Sequence, residues 1–290
     1  MRLSNVQSVG WSSRTARLLG ALLLLAVAGM TDKPAIADHR PYGREGEWRR
    51  IFADRFAGTT LDRTKWTTCY WWDEGGCTNL GNSELQWYLP GNVTVTEGHV
   101  RLRAQRQRVV GINDTVFPYT SGMITTGPAR YRAPEGAKFD FRYGYAEMRA
   151  WVPRGKGLWP AFWLLPSSYN STPEIDVMEV LGQAPHVLQM HFHYRDMDRM
   201  LHSVGNGATV GDLSTGWHIF GVDWQPNRII WYLDGQERWR YENEAAIPRE
   251  PMYLLVNLAV GGDWPGAPNS ATQFPADFLI DYVRVWQRAD

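Results

Sequence analysis

Apolar and polar positions alternate in short runs along most of the chain, and turn residues punctuate those runs about every eight to twelve residues. In "HVRLRAQRQ", Val100, Leu102 and Ala104 oppose Arg101, Arg103 and Gln105, the period-two signature of a half-buried strand. "RIIWYLDGQERWRY" reads as a hairpin turning at Asp234-Gly235, a strong two-residue turn signal. "FLIDYVRVWQ" is apolar on both faces apart from Asp281 and Arg284, as a strand inside stacked sheets would be. No stretch of a dozen residues keeps a 3.6-residue period, and no internal repeat is visible. Many short strands without helices predict an all-β sandwich or barrel.

One segment breaks the alternation. "PEIDVMEVLG", from Pro173 to Gly182, sets Glu174, Asp176 and Glu179 inside an otherwise buried run. Carboxylates are costly to bury unless paired, hydrogen-bonded or metal-bound. In a regular strand Glu174 and Asp176 share a face and Glu179 takes the other. One extra residue, a bulge at Val177–Met178, would return Glu179 to the face of its neighbours. Three acids would then look across a concave surface. That arrangement suits glycosidic bond cleavage, which in its retaining form uses two carboxyl groups roughly 5–5.5 Å apart. Glu174 would attack the anomeric carbon, Glu179 would protonate the leaving oxygen, and Asp176 would hydrogen-bond Glu174 and favour a protonated partner by like-charge repulsion. Spacing alone leaves two other readings open: a Ca²⁺ site, and a structural carboxylate network under a loop.

Composition sharpens the picture. The 290 residues are 44% hydrophobic, enough for a sizeable core, and 30 basic residues balance 30 acidic ones, so no global field points to nucleic acid or an anionic membrane. Trp is over-represented at 15, beside 13 Tyr and 10 Phe, which suggests a groove lined with flat aromatic faces as well as a Trp-rich core. Trp224, Trp231 and Trp286 fall within strands and read as core. Arg2, Arg14 and Arg17, the apolar run Leu18 to Met30, and the small-x-small "AIA" at Ala35 to Ala37 read as a signal peptide over residues 1–37. A secreted protein cut near Ala37 is expected, an uncleaved membrane anchor being the alternative, with a short polar connector over 38–47 and one domain over 48–290. The two cysteines, Cys69 and Cys77 in "CYWWDEGGC", are expected to close a disulfide that fixes the Trp71-Trp72 loop.

The acidic segment, preceded by "GLWPAFWLLP", resembles glycoside hydrolase family 16 in its E-x-D-x-x-E form, the form of laminarinases and their bacterial relatives. "FRYGYAEMRAWVPRGKGLWPAFWLLP", "GWHIFGVDWQPNRIIWYLDG", "GGDWPG" and "IDYVRVW" follow in the order that family shows. The resemblance implies a jelly-roll β-sandwich of two antiparallel sheets with a concave cleft and retaining chemistry. It assigns Glu174 as nucleophile, Asp176 as assistant and Glu179 as acid/base. It also implies sugar contacts from Trp159 and Trp163, from Trp264 on a Gly-rich loop, from His193, and from Asn82 and Glu84 in "GNSELQWY". The implied partner is a 1,3-linked or mixed 1,3/1,4-linked β-glucan or a bacterial exopolysaccharide, met by a monomer, with hydrolysis or transglycosylation as the reaction. A carbohydrate-binding sandwich without catalysis is the rival from another class.

Three departures from the family pattern matter. Met123 in "TSGMITT" stands where many laminarinases carry Arg, and Pro173 stands before Glu174 where Gly is commoner, as in bacterial enzymes that cut exopolysaccharides. Arg55 in "ADRF" replaces an acidic residue, which leaves the family's structural Ca²⁺ site in question although Asp281 matches one ligand. No cofactor is expected to be required, and no metal at the active site. His191 and His193 share a strand face, but a zinc pair needs a third ligand that spacing does not place.

Overall fold

The strand Gly144–Trp151 shows how side-chain alternation becomes architecture: Ala146, Met148 and Ala150 enter the main core, while Tyr145 joins a separate cluster on the opposite face. A computed structural model describes residues 39–72 and 77–289; the expected signal peptide lies outside these residues. The strands in chain order are β1 (Trp48–Asp54), β2 (Gln86–Tyr88), β3 (Val93–Thr96), β4 (His99–Val110), β5 (Val116–Ser121) and β6 (Met123–Thr125). They continue with β7 (Gly144–Trp151), β8 (Leu158–Pro166), β9 (Glu174–Glu179), β10 (Val187–Arg195) and β11 (Leu201–Thr209). The last five are β12 (His218–Gln225), β13 (Arg228–Leu233), β14 (Gln236–Tyr241), β15 (Met252–Val260) and β16 (Ala276–Arg288). Helix among the described residues is confined to short 3₁₀ turns such as Leu80–Asn82.

Two sheets stack as a jelly-roll sandwich. The larger runs β14-β13-β12-β7-β16-β4-β5-β2, with β1 beside β16 and β3 beside β4. The smaller runs β11-β10-β9-β8-β15-β6. Pairing is antiparallel except between β2 and β5, which run parallel, a departure from the all-antiparallel expectation. The main core lies between the sheets, where Phe162, Ile175, Val177, Met178 and Phe192 of the smaller sheet meet Met148, Phe220, Val222 and Trp231 of the larger. Trp224, Trp231 and Trp286 are all fully buried, as read from sequence. The β13–β14 hairpin turns at Asp234 (φ +50°) and Gly235 (φ +75°), the left-handed pair that a tight hairpin of matching twist requires.

Residues 39–47, read from sequence as a connector, pack on the outer face of the larger sheet. The Tyr42 backbone N–H donates to Glu147 Oε2 at 2.8 Å, and the Arg44 guanidinium lies 4.0 Å over the Tyr232 ring. Beneath them Trp48, Tyr145, Ile230, Tyr232 and Trp286 form a core of their own.

Candidate active site

The bulge in β9 creates the site. Against β10, Gln189 pairs with Glu179 and His191 with Asp176, so two steps on β10 match three on β9. Against β8, Phe162 pairs with Met178 and Trp163 with Asp176, which leaves Val177 as the unmatched residue. Val177 and Met178 both enter the core, and Glu174, Asp176 and Glu179 all line the cleft. A bulge leaves ladder groups unpaired. Here the Asp176 backbone carbonyl accepts a 2.8 Å bond from Trp231 Nε1, which reaches through the core from β13 of the opposite sheet.

The cleft is a cavity of about 470 Å³. It brings together all nine residues singled out from sequence: Glu174, Asp176, Glu179, Trp159, Trp163, His193, Trp264, Asn82 and Glu84. Trp159 Nε1 donates to Glu179 Oε1 at 3.1 Å, and His191 Nδ1 lies 2.6 Å from Glu179 Oε2. Both oxygens of Glu179 are thereby held. His193 Nε2 lies 3.2 Å from Asp176 Oδ2. Burial pushes the Glu174 carboxyl well above its ordinary value, and the neighbouring Asp176 adds to the rise. Burial also pushes Asp176 up, followed by the charge of Glu179, while its bond with Glu174 pulls the other way. Like charges this close disfavour one another's ionisation at Glu174 and Asp176.

A polar relay supports the far wall. Glu84 accepts from Asn82 Nδ2 at 3.1 Å and from Gln86 Nε2 at 2.5 Å. Asn257 Nδ2 donates to the Tyr88 hydroxyl at 3.0 Å while Trp163 Nε1 donates to Asn257 Oδ1 at 2.7 Å. Burial raises Glu84 to about 7 against these bonds. The Trp264 loop depends on its glycines: a Cβ on Gly261 (φ +72°) would meet Leu85 at 2.5 Å, and one on Gly262 (φ +114°) would meet the Asn82 carbonyl at 2.9 Å. Their absence lets the Asp263 N–H bond that carbonyl at 2.9 Å. Trp264, 41% exposed, stands edge-on to Trp159 with ring centres 5.4 Å apart.

Sequence reading missed Tyr70, Asn79, Ala161, His191 and Asn257 as cleft-lining residues. His191 carried a signal, because it shares a strand face with His193, but its partner Glu179 became visible only with the bulge. Gly205 on β11 faces His191, and a Cβ there would sit 2.2 Å from the imidazole. Cys69 and Cys77 are disulfide-bonded, with Cα atoms 5.4 Å apart. Beside them Trp72 stacks on Tyr70 at 4.1 Å, and Trp71 Nε1 donates to the Tyr253 hydroxyl at 2.8 Å. A second hollow of about 530 Å³, lined by Trp71, Trp72 and Tyr169, shares Asn79, Trp163 and Glu174 with the first. Met123 is fully buried beneath this cluster and presents nothing to the cleft.

Asp281, the residue that matches a family calcium ligand, is held by an arginine. Its carboxylate accepts a 2.7 Å bond from Arg149 Nη1, and that guanidinium lies 5.0 Å over Trp217. Among the described residues, both groups of three convergent acid or histidine ligands lie in the cleft.

Fold and site define the class first: a jelly-roll sandwich whose concave sheet carries clustered carboxyls between indole faces. Residues 83–283 match the model for glycosyl hydrolases family 16, and the chain belongs to that family. It is 36% identical to the endo-1,3-1,4-beta-glycanase EglC of Rhizobium meliloti over 251 residues, 82% of this chain and 51% of that protein. It is 31% identical to a beta-glucanase of Rhodothermus marinus over 297 residues, covering 94% of each. The laminarinase catalytic domain of Thermotoga maritima superposes with a TM-score of 0.72 at 30% identity, over 85% of this chain and 100% of that one. The chain thus spans about half the length of EglC, and 47% of the related glycanase ExsH from the same organism.

Proposed function

We propose that the protein is a secreted, retaining endo-β-glycosidase acting on 1,3-linked or mixed 1,3/1,4-linked β-glucan. The observation that carries the reading is the Val177 bulge, which sets Glu174, Asp176 and Glu179 in one cleft between Trp159, Trp163 and Trp264. Glu174 is the nucleophile: its carboxylate attacks the anomeric carbon, the glycosidic C–O bond breaks, and a glycosyl ester forms. Glu179 gives its proton to the departing oxygen, then takes one from the water that hydrolyses the ester. Trp159 and His191 hold Glu179 for both transfers. Asp176 shares a proton with Glu174, so the nucleophile is freed as an anion without a second full charge beside it. The indole faces of Trp159 and Trp264 meet the apolar faces of the sugar rings, and Asn82, Glu84 and His193 meet their hydroxyls.

The names of the relatives support a β-glucan, and the second aromatic hollow supports a polymer that extends past Glu174. The amino-terminal pattern supports export; among the described residues no helix is long and apolar enough to cross a membrane. Incubation with laminarin, lichenan and a bacterial exopolysaccharide, read by mass spectrometry, is expected to give short oligosaccharides from at least one β-glucan. Intact polymers throughout would overturn the reading, and products longer than the substrate would make it a transglycosylase. Glu174→Ala should abolish turnover, with azide restoring it as an inverted glycosyl azide.

A further inference from the structure

Asp176 Oδ2 is a buried atom with no aligned hydrogen-bond donor, on a residue only 3% exposed. It faces His193 Nε2 at 3.2 Å, close enough for an ion pair but off the line of a ring N–H bond. The other ring nitrogen, Nδ1, lies 2.7 Å from Ser203 Oγ on the adjacent strand β11. An N–H donated there leaves Nε2 with its lone pair free. Two lone-pair atoms at this separation match two ligands on one tetrahedral ion: bonds of about 2.0–2.1 Å set such ligands roughly 3.3 Å apart. Glu174 supplies a third, since ligating atoms of Glu174, Asp176 and His193 all lie within 4.8 Å of one another. One imidazole and two carboxylates suit zinc; calcium and magnesium prefer larger all-oxygen sets. Ser203 then acts as the partner that orients a metal-bound histidine. The neighbouring triad of Asp176, Glu179 and His191 is equally compact, but His191 Nδ1 and Glu179 Oε2 already bond each other at 2.6 Å.

We propose that Glu174, Asp176 and His193 form a zinc site in which the ion, with water as a fourth ligand, occupies the place of the sugar. Occupancy ties up the nucleophile and its assistant, so zinc silences the cleft in competition with the glycan. The silencing rests on the hydrolase reading above; the binding does not.

Isothermal titration calorimetry of the folded chain with zinc chloride alone tests the site. One equivalent should bind, and His193→Ala and Asp176→Asn should each weaken binding by at least about tenfold. His202→Ala, which removes a rim histidine bonded to Asp196, should leave it unchanged. Should His193→Ala fail to fold, the near-isosteric Asp176→Asn decides by the same titration. Magnesium chloride should bind at least about tenfold more weakly. Absence of zinc binding, binding indifferent to both variants, or magnesium binding as tight as zinc would each overturn the site. Zinc should also raise the apparent KM for the best substrate of the panel without changing kcat. Calorimetric binding in a protein that cuts no glycan would uphold the site while the hydrolase reading falls.

Discussion

At the residue scale, Trp159 and His191 each hold one oxygen of Glu179, the proposed acid/base. His191 can approach only because Gly205 leaves room beneath it. Gly205→Ala should therefore lower kcat, because it displaces the imidazole that holds Glu179. Steady-state kinetics on a β-glucan checks this; an unchanged kcat would show that the imidazole contributes nothing to the acid/base. Glu179→Gln should lower kcat by about 10²–10⁴, the usual worth of general acid–base help, and a loss smaller than tenfold would contradict its role. The acids were legible in the sequence because carboxyls interrupt an apolar strand, and the indoles and His193 were reached through the family resemblance. Tyr70, Asn79 and Asn257 were not, because a Tyr near a disulfide or an Asn in an apolar strand reads equally as packing. Met123, which stands where many laminarinases carry Arg, lies under the disulfide cluster with no exposed surface, so the cleft receives no side chain from that position.

At the element scale, the bulge in β9 could be foreseen: Glu179 lies five positions after Glu174, and only an inserted step turns both to one face. What closes it could not be foreseen. Trp231 looks like an ordinary core residue in "RIIWYL", and nothing local shows that its indole N–H meets a carbonyl in the opposite sheet. Trp231→Phe preserves most of the apolar volume but leaves the Asp176 carbonyl unsatisfied, at a cost of about 1–3 kcal/mol. Thermal unfolding should show a lowered Tm together with a reduced kcat. A lowered Tm with full kcat would mean that the bulge keeps its shape without this bond. Within the connector expected over 38–47, the described residues 39–47 dock on the larger sheet through a backbone N–H and a guanidinium, contacts that a polar, Gly- and Pro-containing stretch does not signal in sequence.

At the scale of the whole molecule, stability should depend on pH through buried carboxyls that gain nothing from ionisation. Burial raises Glu147 from 4.5 to about 7, opposed by bonds from the Tyr42 amide and the Tyr282 hydroxyl. The folded state therefore holds a proton that the unfolded chain releases near 4.5. This contribution is present in full below pH 4.5 and is lost as pH rises through 7, on the order of 3 kcal/mol at the extreme. Glu147→Gln keeps the neutral shape and should flatten the fall in Tm between pH 5 and 8. Parallel Tm curves for the two proteins would mean that Glu147 titrates normally.

The proposed roles of Glu174 as nucleophile and Glu179 as acid/base are tested most directly by the stereochemistry of the first product. Proton NMR of the new reducing ends, recorded before mutarotation, should show the β-anomer appearing first from a β-glucan, because two displacements at one carbon restore its configuration. An α-anomer appearing first would mean a single displacement by water, and the assignment of Glu174 as nucleophile would fail.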